Sequence, residues 1–143
     1  MVGKDEKQAD AMLRCARLHK GSVMVVDELE TAGDVESAFM CKRRSVRLLA
    51  STMVGNLREL MEDPFLSGLV RGVGTGCTGT GTTTWIPIFD VVVELRRGAL
   101  NEVRVITDTA AAVDAIIQGN SYSVQVGTLD PVKGGIHMHL EQV

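Results

Sequence analysis

Two adjacent carboxylates follow directly on a short apolar run near the start of the chain. The run is Val23 to Val26, and the acids are Asp27 and Glu28. Such a run predicts a buried strand that delivers acidic groups to the edge of a sheet, which is the pattern of a Walker B element. In nucleoside triphosphatases the first acid helps to hold hydrated Mg²⁺, and the second polarises the water that attacks the γ-phosphate. Asp27 is therefore the candidate metal and nucleotide ligand, and Glu28 the candidate catalytic residue.

The complementary phosphate-binding element is absent from the sequence. No G-x-x-x-x-G-K-[ST] pattern occurs, although the backbone N–H groups and lysine of that loop normally cradle the phosphates. The nearest approach, Gly3-Lys4-Asp5, lacks both the upstream glycine and the hydroxyl that would bind the metal. The sequence therefore contains one half of an ATPase site, and we do not expect this chain to hydrolyse ATP alone.

Further polar candidates lie beyond the next apolar run. Thr52 and Asn56 stand where a group that senses the γ-phosphate would lie, so we count both as candidate nucleotide-binding residues. The alternatives are a polar strand exit for Thr52 and a helix N-cap for Asn56. Arg43 and Arg44 would either reach a nucleotide across a subunit boundary or form a solvated helix end, which the helix dipole favours.

Three other features have weaker interpretations. Gly74 to Gly79 fits G-x-G-x-x-G, but the β-prone segment that follows contains Pro87 and replaces the helix that a dinucleotide site requires. His137 and His139 would share one face of a strand, either as an exposed pair or as a metal pair without a third ligand. Cys77 has no basic neighbour in the sequence that would lower its pKa, and we assign it no role.

Composition restricts the class of protein. A chain of 143 residues with 45% hydrophobic content can bury one ordinary core, and its net charge of −3 does not favour nucleic-acid or membrane association. The aromatic content of 3% gives few stacking platforms and leaves nucleic-acid binding undetermined. No apolar run is long enough to span a membrane, the N-terminus is charged, and three widely spaced cysteines suit a reducing compartment. We expect a protein of the cytosol or an organelle interior, not a secreted one.

Apolar periodicity and turn residues predict an α/β protein. Helix, strand, helix and strand in short succession at the start imply parallel pairing with a right-handed crossover. A Gly/Thr-rich linker at 73–85 then separates a core part, 1–72, from a small α+β appendage, 86–143. The predicted helices are Glu6 to His19, Val35 to Cys41, Leu57 to Met61, Phe65 to Val70 and Ala110 to Ile117; the predicted strands are Val23 to Val26, Val46 to Thr52, Ile86 to Leu95, Glu102 to Thr107, Ser121 to Val126 and Ile136 to Leu140.

Five ordered segments resemble one family. They are Val25 to Glu30, Arg44 to Thr52, Gly55 to Pro64, Phe89 to Leu95 and Ala112 to Gly119. Their order and spacing resemble the D-E-I-G, R-G-V-x-L-x-x-T-A-H-G-N and later F-D-x-x-I-E-L and A-V-D-x-L-L-x-G patterns of the stage III sporulation AA-type ATPases and their plastid-encoded relatives. The resemblance runs from about Met12 to about Gln125. It implies the C-terminal portion of a RecA- or AAA-like P-loop ATPase core that binds Mg²⁺ and ATP, forms a homo-oligomer and lies in the cytoplasm or the plastid stroma.

Departures from the family pattern lead to two hypotheses. Val54 stands where the family has a histidine, Glu30 replaces the glycine after the Walker B acids, and the linker replaces an arginine-bearing stretch. The phosphate-binding loop would precede Met1. Under the first hypothesis the missing residues come from a longer N-terminus or a neighbouring subunit. Under the second the chain is a non-catalytic assembly or interaction module descended from such an ATPase.

Overall fold

The chain forms a mixed α/β structure. A computed structural model describes residues 7–72, 86–96, 98–99 and 101–143. None of the helices in these ranges has the length and apolar character needed to cross a bilayer. In chain order the helices are α1 Gln8–Leu18, α2 Ala32–Arg43, α3 Leu57–Glu62, α4 Gly68–Arg71 and α5 Thr109–Gln118, and the strands are β1 Val23–Val26, β2 Arg47–Ala50, β3 Val92–Leu95, β4 Glu102–Ile106, β5 Ser123–Leu129 and β6 Ile136–Gln142.

The first sheet is a parallel pair. Strands β1 and β2 run side by side with Val26 opposite Ala50, and α2 makes the crossover between them. Parallel pairing was predicted from the order of the elements and is confirmed. One face of the pair packs on the core, whereas on the other face Val25 and Leu49 remain 73% and 64% exposed. Because parallel sheets are normally covered on both faces, this exposed face is unusual for such a pair.

Helix α2 begins at a capping box. The Thr31 hydroxyl accepts a hydrogen bond from the Asp34 amide, and the Asp34 carboxylate accepts from the Glu30 and Thr31 amides at 3.0 Å each. These bonds satisfy donors that the first turn of a helix leaves unpaired. Asp34 is only 4% exposed, so its charge is held by these amides. The cap therefore fixes the loop that joins the acids after β1 to the helix.

The second sheet is antiparallel and has the strand order β3-β4-β5-β6. Helix α5 lies between β4 and β5 in the chain. Its N-cap is Asp108, whose carboxylate accepts from the Ala111 amide at 3.0 Å, and its C-cap is Gly119. Gly119 has a φ of +73°, which glycine adopts without steric cost at a helix end. Val124 and Val126 of β5 are almost fully buried, so one face of this sheet is covered by the core.

The predicted strand Ile86 to Leu95 is wrong in its first half, because only Val92–Leu95 is a strand. Pro87 has no N–H to offer a neighbouring strand. The amides of Ile88 and Phe89 both donate to the Leu69 carbonyl, at 3.0 and 3.1 Å, which ties this segment to the end of α4. Tertiary contact therefore overrides the β-propensity of these residues.

The predicted helix Phe65 to Val70 is also displaced, because α4 is the single turn Gly68–Arg71. The Asp63 carboxylate accepts from the amides of Phe65 and Leu66 at 2.8 Å each. Such a side-chain turn competes with helix formation at the same residues. Helix α4 consequently begins three residues later than the apolar spacing predicts.

One cluster of buried apolar side chains includes residues on both sides of the predicted linker 73–85. That linker, with Cys77 and the Gly74 to Gly79 pattern, lies outside the described residues. The Lys42 ammonium on α2 donates to the Pro87 and Ile88 carbonyls at 2.7 and 3.2 Å and reaches Asp90 at 3.0 Å. The most deeply buried members of the cluster, at 2% exposure or less, are Ala16, Leu29, Ala38, Cys41, Leu57, Leu69, Val70, Ile106, Ala112, Val124 and Val126.

Candidate functional site

The acids lie at the edge of the sheet where β1 and β2 both end. Asp27 follows β1 and Ser51 follows β2, and the Ser51 hydroxyl donates to the Asp27 carboxylate at 2.8 Å. The same hydroxyl accepts from the Glu28 amide at 2.9 Å, and the Ser51 carbonyl accepts from the Leu29 amide at 2.8 Å. Ser51 therefore joins the two strand ends and fixes the orientation of Asp27. This acidic edge consists of Asp27, Glu28, Glu30 and Ser51.

Glu28 has an unusual backbone and an unusual carboxyl group. Its φ of +58° places it in the left-handed region, and Gln8 donates to its carbonyl at 3.0 Å. Its carboxyl group is hydrogen-bonded to that of Glu30, and this bond raises the pKa of Glu28; the charge of Glu30, desolvation and the charge of Asp27 raise it further. A raised carboxyl pKa suits a group that takes up a proton during a reaction. The same pair of acids repels itself when both are ionised.

Thr52 and Asn56 make hydrogen bonds within the protein. The Thr52 hydroxyl donates to the Leu29 carbonyl at 3.1 Å. Asn56 is the N-cap of α3: its side-chain oxygen accepts from the Glu59 amide at 3.0 Å, and its amide nitrogen donates to the Glu59 carboxylate at 3.1 Å. Glu59 also accepts from the Gly55 amide at 3.1 Å. Both candidates therefore have structural partners, which a ligand would have to share or displace.

A cavity of about 840 Å³ separates the end of β2 from β3. Thr52, Val54 and Asn56 line it, whereas Asp27 and Glu28 do not. Leu29 lies between the acidic edge and the cavity, because it lines the cavity and its backbone bonds to Ser51 and Thr52. The structure therefore divides the predicted site residues between an acidic edge and a neighbouring cavity that share one short segment.

Both strands that border the cavity have an unpaired edge. In the described part of the chain β2 pairs only with β1, and β3 pairs only with β4. The amides of Arg47 and Ser51 bond to the β1 side, so the alternating residues Leu48 and Ala50 direct their amides toward the open edge. On the β3 side, the Glu94 carboxylate accepts from the Leu57 amide at 2.8 Å and anchors the start of α3. The cavity therefore lies between two sheets, with the open edge of β2 on one side and the open edge of β3 on the other.

The oxygen atoms of the acidic edge fit a magnesium ion better than a softer metal. An exposed carboxylate and an adjacent hydroxyl, as in Asp27 and Ser51, are hard ligands of the kind Mg²⁺ prefers, and Mg²⁺ usually takes only one or two carboxylates from a protein. Among the residues that the structure describes, no group of three or more His, Cys, Asp or Glu side chains could hold a metal ion. Any Mg²⁺ here would depend on further oxygen ligands from water or from a bound molecule.

The other basic and histidine candidates lie away from the acidic edge. Arg43 is on α2 with its guanidinium 5.8 Å from the centre of the Phe39 ring, and Arg44 is the C-cap of the same helix. His137 and His139 are exposed on one face of β6, opposite Thr128 and Val126 of β5. These residues are therefore not brought together with Asp27.

Comparison with known proteins gives one distant relative. No family model matches the chain, and no solved structure matches it. The chain is similar to the "Uncharacterized protein ycf45" of Cyanidium caldarium, with 22% identity over 135 residues that cover 85% of this chain and 39% of that protein. The chain thus spans about two fifths of the length of this curated relative.

Sequence reasoning does not identify Ser51 of the acidic edge or Asp34, which lies beside that edge in the cap of α2. Ser51 was treated only as part of a predicted strand, although a hydroxyl directly after an apolar run is the signal that it lies at the strand end. Asp34 was not singled out, although Thr31-x-x-Asp34 has the spacing of a capping box. Ser51 orients Asp27 directly, and Asp34 holds the amides of Glu30 and Thr31.

Proposed function

We propose that this chain is the C-terminal portion of a P-loop ATPase core and carries the Walker B half of its nucleotide site. In this proposal Asp27 binds a magnesium–nucleotide complex and Glu28 acts on the attacking water. The phosphate-binding loop comes from a longer chain or from a neighbouring subunit. The observation that carries the proposal is the position of Asp27, which Ser51 holds at the common carboxyl edge of two parallel strands.

The carboxyl edge of β1 and β2, where Asp27 lies, is a common place for ligand sites in α/β proteins. In open α/β sheets ligands bind outside the carboxyl ends of the parallel strands, because loops and helix starts leave polar groups there. The hydroxyl of Ser51 sets the direction of the Asp27 carboxylate, and Asp27 is an exposed residue. Bound Mg²⁺ would supply charge neutralisation for the phosphates; the chain's own contribution is to orient Asp27 and to place Glu28 beside it.

The cavity between β2 and β3 supports the same proposal. A strand inserted there, parallel to β2, would end at the edge that holds Asp27, because parallel strands share their carboxyl edge. Its backbone would meet the open amides of Leu48 and Ala50 on one side and the free edge of β3 on the other. A phosphate-binding loop that follows such a strand would therefore begin next to the acidic edge. The resemblance to P-loop ATPases leads to the same expectation for the missing element.

Nucleotide titration tests the proposal on two chains. The first chain is the 143-residue protein, and the second is the same protein extended upstream in its reading frame. We expect the extended chain to bind a fluorescent ATP analogue in the presence of Mg²⁺, and Asp27→Ala to abolish that binding. The Glu28→Gln variant should retain binding and lose hydrolysis. Asp10→Ala, an exposed acid in the first turn of α1, is the matched control and should change neither.

Two outcomes would contradict the assignment of Asp27 as the magnesium–nucleotide ligand. An upstream reading frame without a G-x-x-x-x-G-K-[ST] pattern, together with no saturable binding when a second subunit is present, would leave the acids without a phosphate to act on. Magnesium-dependent binding that survives Asp27→Ala would place the nucleotide elsewhere. Either outcome would remove Asp27 from the proposed role.

A second candidate function is a non-catalytic assembly module. Two observations favour it: Val54 lines the cavity where the family has a histidine, and both Thr52 and Asn56 already have partners within the protein. An apolar side chain at position 54 cannot contact a γ-phosphate through a hydrogen bond. Under this hypothesis neither chain binds nucleotide, and the Asp27→Ala variant behaves like the natural protein in every assay.

A further inference from the structure

Strand β6 forms an unprotected edge of the antiparallel sheet. It extends over Ile136–Gln142, pairs only with β5 among the described strands, and has five consecutive exposed residues at its start. Natural edge strands are usually shortened, bulged, or protected by lysine or proline, since an open edge recruits other strands. The seven residues of β6 include no lysine and no proline, and Glu141 is their only carboxylate. This edge therefore lacks the usual protection against pairing.

The open edge is continuous with an apolar sheet face. Pairing with β5 places Ile136, Met138 and Leu140 of β6 on the same face as Leu129 and Gly127 of β5. Further along the sheet the same face includes Val93 and Leu95 of β3. The exposed members are Val93 55%, Leu95 71%, Leu129 46%, Ile136 68%, Met138 55% and Leu140 72%. They expose an apolar area on the order of 600 Å², at the upper end for one patch on a monomer. Ile136, Met138 and Leu140 are the members that lie on the open strand itself.

Hydrogen bonding to β5 determines which groups of β6 remain open. Tyr122 and Val143 exchange both backbone hydrogen bonds, at 3.1 and 2.9 Å, and this exchange recurs at every second residue of an antiparallel pair. His137, His139 and Glu141 therefore direct their backbone groups toward β5. The alternating residues of β6, Met138 and Leu140 among them, direct their N–H and C=O groups outward. The open hydrogen-bonding groups thus belong to the residues that carry the exposed apolar side chains.

The sequence of β6 is complementary to itself when one copy is turned antiparallel about His139. In that register Met138 lies opposite Leu140 of a second copy. The outward-directed N–H and C=O groups of these two residues can then hydrogen-bond to each other, and their apolar side chains lie side by side. His137 lies opposite Glu141, whose carboxylate also accepts a hydrogen bond from the Arg104 guanidinium of its own chain at 3.4 Å. His139 lies opposite itself on the two-fold axis. An isologous interface of this kind contains every contact twice, except the contact of His139 with itself on the axis.

We propose that a second copy of this chain binds along β6, in the antiparallel register centred on His139, and that the two four-stranded sheets join into one. The two-fold complementarity of Ile136–Gln142 is what selects a second copy as the partner over an unrelated protein. The apolar faces of the two sheets then form one continuous surface. The paired strand itself lies outside the proposed nucleotide site, because β6 contributes no residue to the acidic edge or the cavity, although Val93 and Leu95 of the same sheet face line the cavity.

Analytical sedimentation measures the dissociation constant of the dimer, and the Met138→Lys substitution is designed to weaken the dimer. We expect the 143-residue chain to sediment as a dimer at tens of micromolar, and Met138→Lys to raise the dimer dissociation constant roughly tenfold or more, because symmetry counts the loss twice. Val132→Lys is the matched control: Val132 is 90% exposed in the β5–β6 connection, outside the paired strand, and its replacement should leave the dissociation constant unchanged. Circular dichroism establishes that both variants are folded.

Disulfide trapping tests the register. In a background with Cys15→Ser and Cys77→Ser, His139→Cys should form an interchain disulfide on oxidation, since a non-hydrogen-bonded antiparallel pair brings its Cα atoms to about 4.5 Å. His137→Cys should not, because its two copies lie four residues apart along the strands, about 13 Å. A monomer at about 100 µM, a dimer unaffected by Met138→Lys, or equal cross-linking by His137→Cys would each overturn the proposal.

Discussion

Two substitutions, Lys42→Met and Asp90→Asn, together separate the contribution of two backbone hydrogen bonds to stability from that of an ion pair, because the first removes both and the second removes only the ion pair. The Lys42 ammonium contacts the carbonyls of Pro87 and Ile88 and the carboxylate of Asp90. Pro87 and Ile88 are buried residues, whereas the Asp90 side chain is 78% exposed. Methionine keeps the length and the apolar stem of lysine and removes only the donor. The change therefore leaves two carbonyls at the junction of α2 with the segment before β3 without their donor.

The expected loss of stability in each variant depends on how far water reaches the side chain that is replaced. A hydrogen bond from a charged group contributes about 1.5–3 kcal/mol, and partial access of water to Lys42, whose side chain is 34% exposed, lowers that figure. We expect Lys42→Met to reduce the free energy of unfolding by roughly 3 kcal/mol and the melting temperature by about 10 °C for a chain of this size. Asp90→Asn removes only an exposed ion pair and should cost about 0.5 kcal/mol or less.

Urea unfolding followed by circular dichroism measures both variants, with the slope of the transition as a check that the unfolded state is unchanged. The Lys42→Met loss should persist in about 0.5 M NaCl, because carbonyl hydrogen bonds are screened far less than exposed charges. If Asp90→Asn lowers stability as much as Lys42→Met does, or if salt removes the difference, the ion pair dominates and the reasoning is wrong.

Two further predictions concern the acidic edge and the end of α4. Glu30→Gln removes the carboxyl neighbour that raises the pKa of Glu28, so we expect that pKa to fall, as measured by carbon NMR titration. A raised carboxyl pKa gives stability that is present at low pH and lost as the pH rises through it; the variant should therefore be more stable than the natural protein at pH 7, and the gain should fade below about pH 4.5. Gly72→Ala places a Cβ 2.5 Å from the Ile86 carbonyl oxygen at a φ of +86°, and we expect thermal melts to show a loss of at least ~2 kcal/mol. Gly119→Ala has a φ of +73° and no atom within 4 Å of its Cβ, so its loss should stay near ~1 kcal/mol, and equal losses would refute the steric argument.

The elements with their own local signals could be predicted from the sequence. Strand β1 was predicted with its exact ends because four apolar residues stand between a glycine turn and an acid. Helices α3 and α5 were predicted within a residue or so, since Asn56 and Asp108 cap them through their own side chains. Parallel pairing of β1 and β2 followed from the crossover helix between them. In each case the determining residues lie within the element or next to it.

The rest depends on contacts between distant parts of the chain. Residues 86–91 have strand propensity, yet the carbonyl of Leu69 binds two of their amides. No periodicity within the segment encodes that contact. At the acidic edge the acids themselves were predicted, but the hydrogen bond from Ser51 to Asp27 links residues 24 positions apart. Its existence requires the parallel register, in which Val26 lies opposite Ala50.

The backbone conformation of Glu28 lowers the stability of the fold, and the residue that would relieve this cost, glycine, has no carboxylate. A residue other than glycine at a φ of +58° costs the fold on the order of 1 kcal/mol, and glycine would relieve most of that cost. A Glu28→Gly protein would therefore resist heat better while lacking the carboxylate. Among the described residues Ser45, with a φ of +60°, is the other non-glycine residue in this region. Glu28 differs from it in carrying a carboxylate at the end of a parallel strand, which is where retained backbone strain suggests a chemical role.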